Sequence, residues 1–370
     1  MKAEDSELPT THPKDGRQVE AALTAVYSWN YDSEIDQIRT LYANALERQW
    51  IGLRDLDWDS EIDREAFTET FTMGGIPIGE TAFWKGLPLE TRWNVSRASA
   101  IFMLSNFLHG EQGALMVAGQ MVSSVPHMDG KFYAATQTLD EARHVEVFAA
   151  YIQKLGEVQE ITPGLQALLD RVVSVEDWKF KAVGMQIVIE GLALFLFRDM
   201  RNRTTEPLLQ KLLTYVSRDE ARHTGYGIKY LSHVVPTLSE HENRELQDFA
   251  FECTRDLMAS RAGLAMRDGM LQGWRDAGVD PADVFSALEK ERDRIAKTQQ
   301  SPAGRRYGPV SGFIIPTLRS LGLYGERSAN LFKEMWAGSQ GAEAAERYAN
   351  SDVALPDDLE FWVNEGYETL

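Results

Sequence analysis

The chain has 370 residues, 44% hydrophobic and 10% aromatic, enough apolar material for one large core or two smaller ones. A formal net charge of -18 without a basic stripe argues against nucleic acid as a partner, and the single cysteine, Cys253, excludes disulfide frameworks, four-cysteine iron sites and cysteine-rich zinc sites. The polar N-terminus shows no signal-peptide pattern, and the apolar run "MQIVIEGLALFLF" is too short for a membrane span and is interrupted by Glu190, so a soluble, cytoplasmic protein is expected.

In chain order, residues 1–20 are charged and aperiodic and predict a disordered tail. Ile35, Ile38, Leu41 and Leu46 form the apolar stripe of a helix. After the loop-like stretch "FTMGGIPIGETAFWKGLP", a long helix is predicted from about Leu89 to Val125, and another to Leu155 with Asp129 as its N-cap. Further helices are predicted over Val175 to Arg203, Glu206 to Val235 and Ser239 to Ala277. Shorter ones fall around "PADVFSALEKERDRIAK" and "ERSANLFKEMWAGS", with the loop "SPAGRRYGPVSG" between them. Strand signals are nearly absent. The expected fold is all-α: a helical bundle over residues 21–278 and a C-terminal helical extension, 279–370, packed on it.

The pentad DEARH occurs twice, at Asp140 to His144 and at Asp219 to His223. Each copy sets Glu and His three apart, Glu141 with His144 and Glu220 with His223, so on a helix both project from one face, a spacing suited to a metal. Two further carboxylates, Glu111 and Glu190, lie within apolar sequence, where an ionised group needs a cation, a proton or a metal.

The spacing supplies geometry. Glu111 precedes Glu141 by 30 residues and Glu190 precedes Glu220 by 30, with turns expected near Pro126 and Thr204, about midway in each interval. Equal rise along both arms of each hairpin returns the chain to one level, so each half sets a lone Glu opposite a Glu-x-x-His. Packing the halves together brings six candidate ligands to one site. Four carboxylates and two imidazoles match the ligand set of ferritin-like di-metal bundles and suit iron or manganese. The expected cofactor is two Fe ions, with Mn/Fe or Mn/Mn pairs as alternatives. The bland alternative is a bundle with two ion-paired surface pentads.

With these motifs, residues from about 35 to 235 resemble the ferritin-like superfamily branch that holds the hydroxylase subunits of bacterial multicomponent monooxygenases, the ribonucleotide reductase small subunit and the acyl-carrier-protein desaturases. The hydroxylases and related oxygenases look nearest, through "IRTLYANALERQWIGLRDLDW" and "DEARHVEVFAAYIQKLG". The resemblance implies that Asp140 and Asp219 each hold the ring N–H of the histidine from the opposite half-site, with Arg143 and Arg222 completing an ionic network beneath the metals. Three departures stand out. Phe148 occupies the position of the reductase's radical tyrosine, Leu194 that of the hydroxylases' threonine, and Val216 that of a third histidine in arylamine N-oxygenases, which makes the likeness to these last weaker.

The reading is a non-haem di-iron oxygenase that uses O2 and external electrons to oxidise a small organic substrate by hydroxylation, epoxidation, desaturation or N-oxygenation. Its expected protein partners are a reductase or ferredoxin as electron donor and a second copy in a homodimer. Phe107, Ala114, Phe148, Leu194 and Phe195, each about one helical turn from a candidate ligand, are the expected substrate wall. A ferroxidase or iron-binding role, a radical-generating subunit and a metal-stabilised structural protein are the other readings.

Overall fold

The apolar stripe ahead of the first glutamate begins the fold. In the computed structural model, which describes residues 17–70, 78–262, 264–300 and 309–336, α1 spans Asp36–Glu47 and buries Ile38, Leu41 and Ala45. Leu46, assigned to that stripe from sequence, is exposed instead. Short helices α2 (Gly52–Asp55), α3 (Arg64–Thr70) and α4 (Ala82–Gly86) lead to α5 (Leu89–Ser124) and α6 (Met128–Leu155), a hairpin that forms the most extensive helix pair in the fold.

Proline and acidic caps set the next starts. Pro163 opens α7 (Pro163–Ser174), where a missing N–H costs nothing. The Asp177 carboxylate accepts the Lys179 N–H ahead of α8 (Trp178–Arg203), and Glu206 accepts from the Leu208 and Leu209 N–H groups ahead of α9 (Pro207–Val234). Then come α10 (Glu240–Ala262), α11 (Leu264–Asp276), α12 (Pro281–Gln300), α13 (Ile315–Ser320) and α14 (Glu326–Trp336). No strand occurs among the described residues, as the sequence pattern implied.

Three expectations change. Asp129 does not cap its own helix, whose N-cap is His127; its Oδ2 accepts the backbone N–H groups of Glu34 and Ile35, each at 2.8 Å, and its Oδ1 meets Arg39 Nε at 2.6 Å, so it fastens the start of α1 onto α6. Arg17, within the expected tail, pairs with Asp170 at 2.6 Å; residues 1–16 lie outside the described residues, as do 301–308 and 337–370 of the expected extension. The apolar segment judged too short to span a membrane belongs to the 26-residue α8, whose most apolar 18-residue window has a mean hydropathy of 1.7 and would suffice by length and composition. Its most apolar window is 72% buried within the bundle, the pattern of a core helix.

Two apolar cores share the four long helices. One joins the first half of α5, the second half of α6, Phe197 and Met200 of α8 and the first half of α9; the other joins the second half of α5, the start of α6, the first half of α8 and the second half of α9. Each helix changes from one core to the other over about two to four turns, and there buried polar residues appear: Glu111 on α5, Glu141 and His144 on α6, Glu190 on α8, Glu220 and His223 on α9. The site occupies the seam between the cores.

Candidate metal centre

All six side chains expected at the site meet there. The candidate ligand atoms fall into two groups, Glu111, Glu141, His144 and Glu220 in one and Glu141, Glu190 and His223 in the other, and within each the atoms lie within 4.8 Å of one another. Glu141 belongs to both. Nδ1 of His144 stands 3.2 Å from Glu111, 3.3 Å from Glu141 and 3.1 Å from Glu220; Nδ1 of His223 stands 3.1 Å from Glu141 and 3.6 Å from both Glu190 and Glu220.

The opposite ring nitrogens cross between the half-sites. His144 Nε2 lies 3.2 Å from Asp219 Oδ2 and His223 Nε2 lies 3.4 Å from Asp140 Oδ2. Beneath them the charges alternate. Arg143 Nη1 donates to Asp140 Oδ1 and Asp219 Oδ2, both at 3.0 Å, while Arg222 Nη2 donates to Asp219 and, at 3.3 Å, to Asp140. Four buried charges in a closed ring neutralise one another and fix both carboxylates, as burial of charge requires.

Sequence reasoning missed four further polar groups. Trp50 donates its indole N–H to Asp219 at 2.8 Å and stacks on Tyr215, with the Arg143 guanidinium 4.9 Å from its ring. Gln49 bridges Asp140 and Arg143. Gln137, one turn before Glu141, donates to Glu141 at 3.0 Å and Glu190 at 3.1 Å, and accepts from Gln186 at 3.4 Å. Gln186 lies in a π-helical stretch, Val183–Ile189, that widens α8 just before Glu190, a distortion common at functional sites. The signal available in sequence was Gly227: a Cβ there would sit 2.4 Å from Gln186 Cβ, so only glycine admits the widened turn.

The donor set tests the fit of a cation. With each Nε2–H turned to an aspartate, both Nδ1 lone pairs face carboxylates, an arrangement that repels unless a positive charge lies between. Glu141 Oε2, both Glu220 oxygens and His223 Nδ1 are buried and make no hydrogen bond. The proton balance carries the same strain. Burial, and then Glu220 for Glu111 and Glu141 for Glu190, hold these two carboxyls well above the carboxylate range. On Glu141 burial pushes upward, yet the facing His223 and His144 imidazoles outweigh it and hold the carboxyl well below that range. Burial alone would depress both imidazoles, but Asp219 and Glu111 around His144, and Glu141 and Tyr133 beside His223, carry them well above their ordinary value. The residues fit two divalent cations, whose charge equals that of four carboxylates.

The expected substrate wall is only partly assembled. Phe107 and Phe148 pack with Phe197, at centroid distances of 4.9 Å from Phe107 to Phe197 and 5.4 Å from Phe148 to Phe197. Phe195 is half-buried and lies outside this triad. Five residues along α8 rotate a side chain about 140° from Glu190, whereas seven return it to within about 20° of the same face. Leu194 packs against Ala221, and Ala114 falls in the other core. Val216 is buried among the aliphatic residues of α9. Cavities of ≈ 450 Å³, beside Leu53 and Trp58, and ≈ 670 Å³, beside Arg201 and Tyr215, open at the surface, and none of the six side chains lines either.

A ferritin-like helical bundle whose seam gathers two lone glutamates and two Glu-x-x-His pairs defines the class of O2-dependent di-metal carboxylate oxidoreductases. The family model described as p-aminobenzoate N-oxygenase AurF matches residues 32–265, and the chain belongs to that family. The match falls on the N-oxygenases, which Val216 had set further off than the multicomponent hydroxylases. No curated protein matches the chain. Among solved structures it is similar to an R2-like ligand-binding oxidase variant with an anaerobically reconstituted Mn/Fe cofactor (TM-score 0.44, 16% identity, covering 72% of this chain and 96% of that chain). It is also similar to an R2-like ligand-binding oxidase with an aerobically reconstituted metal cofactor after photoconversion (TM-score 0.44, 14% identity, 87% and 99%).

Proposed function

We propose that Glu111, Glu141, His144, Glu190, Glu220 and His223 hold two iron ions and that the protein uses O2 and electrons from a reductase or ferredoxin to oxidise a small organic substrate, with the nitrogen of an arylamine as the first class to test. The observation that carries this reading is the inward convergence of four carboxylates and two imidazole Nδ1 atoms at one buried seam. Bound there, reduced iron supplies electrons to O2 and Lewis acidity toward its oxygen atoms.

The chain's own groups have separable roles. Asp140 and Asp219 accept the Nε2 protons, which fixes the tautomer with Nδ1 free to bind. Gln137 ties Glu141 to Glu190 and leaves their remaining oxygens to bind or shift. The rings of Phe107, Phe148 and Phe197 exclude water one turn from Glu111 and His144 and offer flat apolar surface to an aromatic substrate. Phe148 in this triad, in place of a tyrosine, favours an oxygenase over a radical-storing subunit.

The test is iron loading followed by product analysis. The reading expects about two Fe per chain and, from reduced protein with O2 and p-aminobenzoate, an N-oxygenated product. Many irons per chain would indicate storage, and two irons inert to O2 a structural role. Oxidation of alkenes, fatty acyl compounds or other aromatics alone would move the substrate class away from arylamines.

A further inference from the structure

Three tyrosines in the second core serve neither the candidate ligands nor the substrate wall. Tyr133, Tyr226 and Tyr230 are fully buried, although a phenol in an apolar core is costlier than the phenylalanine that would fill the same space. Tyr226 follows His223 by three residues on α9 and Tyr230 follows Tyr226 by four, so all three share one helix face.

The rings form a continuous series. Centroids lie 4.6 Å apart for Tyr133 and Tyr226, 5.6 Å for Tyr226 and Tyr230, and 4.5 Å for Tyr230 and Trp178, which are stacked. Trp178 is half-buried, at the outer end of α8. Tyr230 Oη lies 2.9 Å from His127 Nδ1, and the His127 ring is 5.8 Å from that of the exposed His233. Close approach is built in at Gly130, where a Cβ would meet the Tyr230 ring at 2.8 Å and whose carbonyl accepts the Tyr226 hydroxyl at 3.1 Å.

We propose that Tyr133, Tyr226, Tyr230 and Trp178 form a one-electron relay between the metal centre and the surface, with His127 as proton acceptor for Tyr230. The inference rests on the proposed function, because the oxidising equivalents it carries arise at that centre. When Tyr226 has given one electron inward through the adjoining Tyr133 ring, keeping its own hydroxyl proton on the hydrogen bond to the Gly130 carbonyl, Tyr230 replaces that electron: the Tyr230 O–H bond breaks, the electron passes to Tyr226 and the proton to His127 Nδ1. Trp178 returns an electron to Tyr230, which takes its proton back from His127. A one-electron reductant in solution, such as a reduced ferredoxin, then restores Trp178. The net change is one electron from donor to centre, with the chain unchanged. Without substrate or donor, the oxidation comes to rest at the outer end, on Trp178.

The experiment cycles iron-loaded, reduced protein with O2 in the absence of substrate and maps oxidised residues by peptide mass spectrometry, with iron content and O2 uptake measured on the same sample. Trp58, half-buried in the other core and remote from the tyrosines, is the internal control. The relay predicts oxidation at Trp178 in excess of Trp58, and loss of that excess in both Tyr226→Phe and Tyr230→Phe, which keep the rings, with iron content and O2 uptake retained. Equal oxidation of the two tryptophans, or an excess that survives both substitutions, overturns the relay alone. Absence of bound iron or of O2 uptake in the unaltered protein overturns the functional reading and the relay with it.

Discussion

His144 turns its Nε2 to Asp219 Oδ2, 3.2 Å away, across from the other half-site, so each imidazole is oriented by the pentad to which it does not belong. The two DEARH copies are therefore interdependent: each supplies a Glu and a His to the centre and an Asp to its twin. Asp219→Asn preserves shape but removes the charged acceptor that fixes the His144 tautomer. It should keep Trp50 packed on Tyr215 and lower metal affinity or O2-dependent turnover about 10- to 100-fold. Metal titration and single-turnover rates check this, and wild-type values would mean the crossed pair does not tune the site.

Glu111 and Glu190 enter the seam alone, from α5 and α8. Glu111→Ala or Glu190→Ala should reduce bound iron sharply, because each removes a carboxylate from one group. Glu240→Ala, at the start of α10 and exposed, should leave it at about two per chain. Metal analysis of the purified variants decides, and equal iron in all three would refute the ligand assignment.

Phe148 is fully buried and packs on Phe197 and Phe107. Phe148→Ala should open space one turn from His144 and shift preference toward bulkier substrates, at a stability cost of about 3 to 5 kcal/mol. Denaturant unfolding gives the cost, and competition between small and large aromatic substrates gives the preference. An unchanged preference would assign the triad to packing alone.

Lys181 offers a pH test remote from the six side chains. Its buried Nζ donates to Gln120 Oε1 at 2.7 Å and to the Val173 carbonyl at 2.9 Å, closing the end of α7, and burial pushes its pKa down to about 8 from 10.5. Here the unfolded chain binds the proton more tightly than the folded one. The cost of the charged form is thus fully present below about pH 8 and is relieved as pH rises to about 10.5. Between those values the protein should gain stability relative to Lys181→Met. Urea midpoints of the two proteins at pH 7.5 and pH 10 measure it, and a constant difference would show that the lysine titrates normally.

The sequence by itself determined the long helices and the level of the site, but not the short helices α2, α3 and α4 or the α7 helix. Two intervals of 30 residues with a turn near the middle of each leave a lone Glu facing a Glu-x-x-His, because the rise per residue is constant. Side chains within a turn of one another on one helix, such as Glu141 and His144, were legible for the same reason. Contacts between helices were not. Trp50 reaches Asp219 across 169 positions, and Gln137 reaches Glu190 across 53; no local period encodes either. Asp129 looked like the cap of its own helix but fastens α1, since a cap motif states which atoms can bond and leaves open which N–H groups approach. Phe197, which the sequence reading did not single out, packs with Phe107 and Phe148 while Phe195 does not, because helical rotation, not proximity in sequence to Glu190, selects the face that packs. The crossing of the two pentads was an expectation from the family resemblance, not from local spacing, and the packing of the four long helices supplies it, because a crossed pair needs both half-sites in place before either histidine has its aspartate.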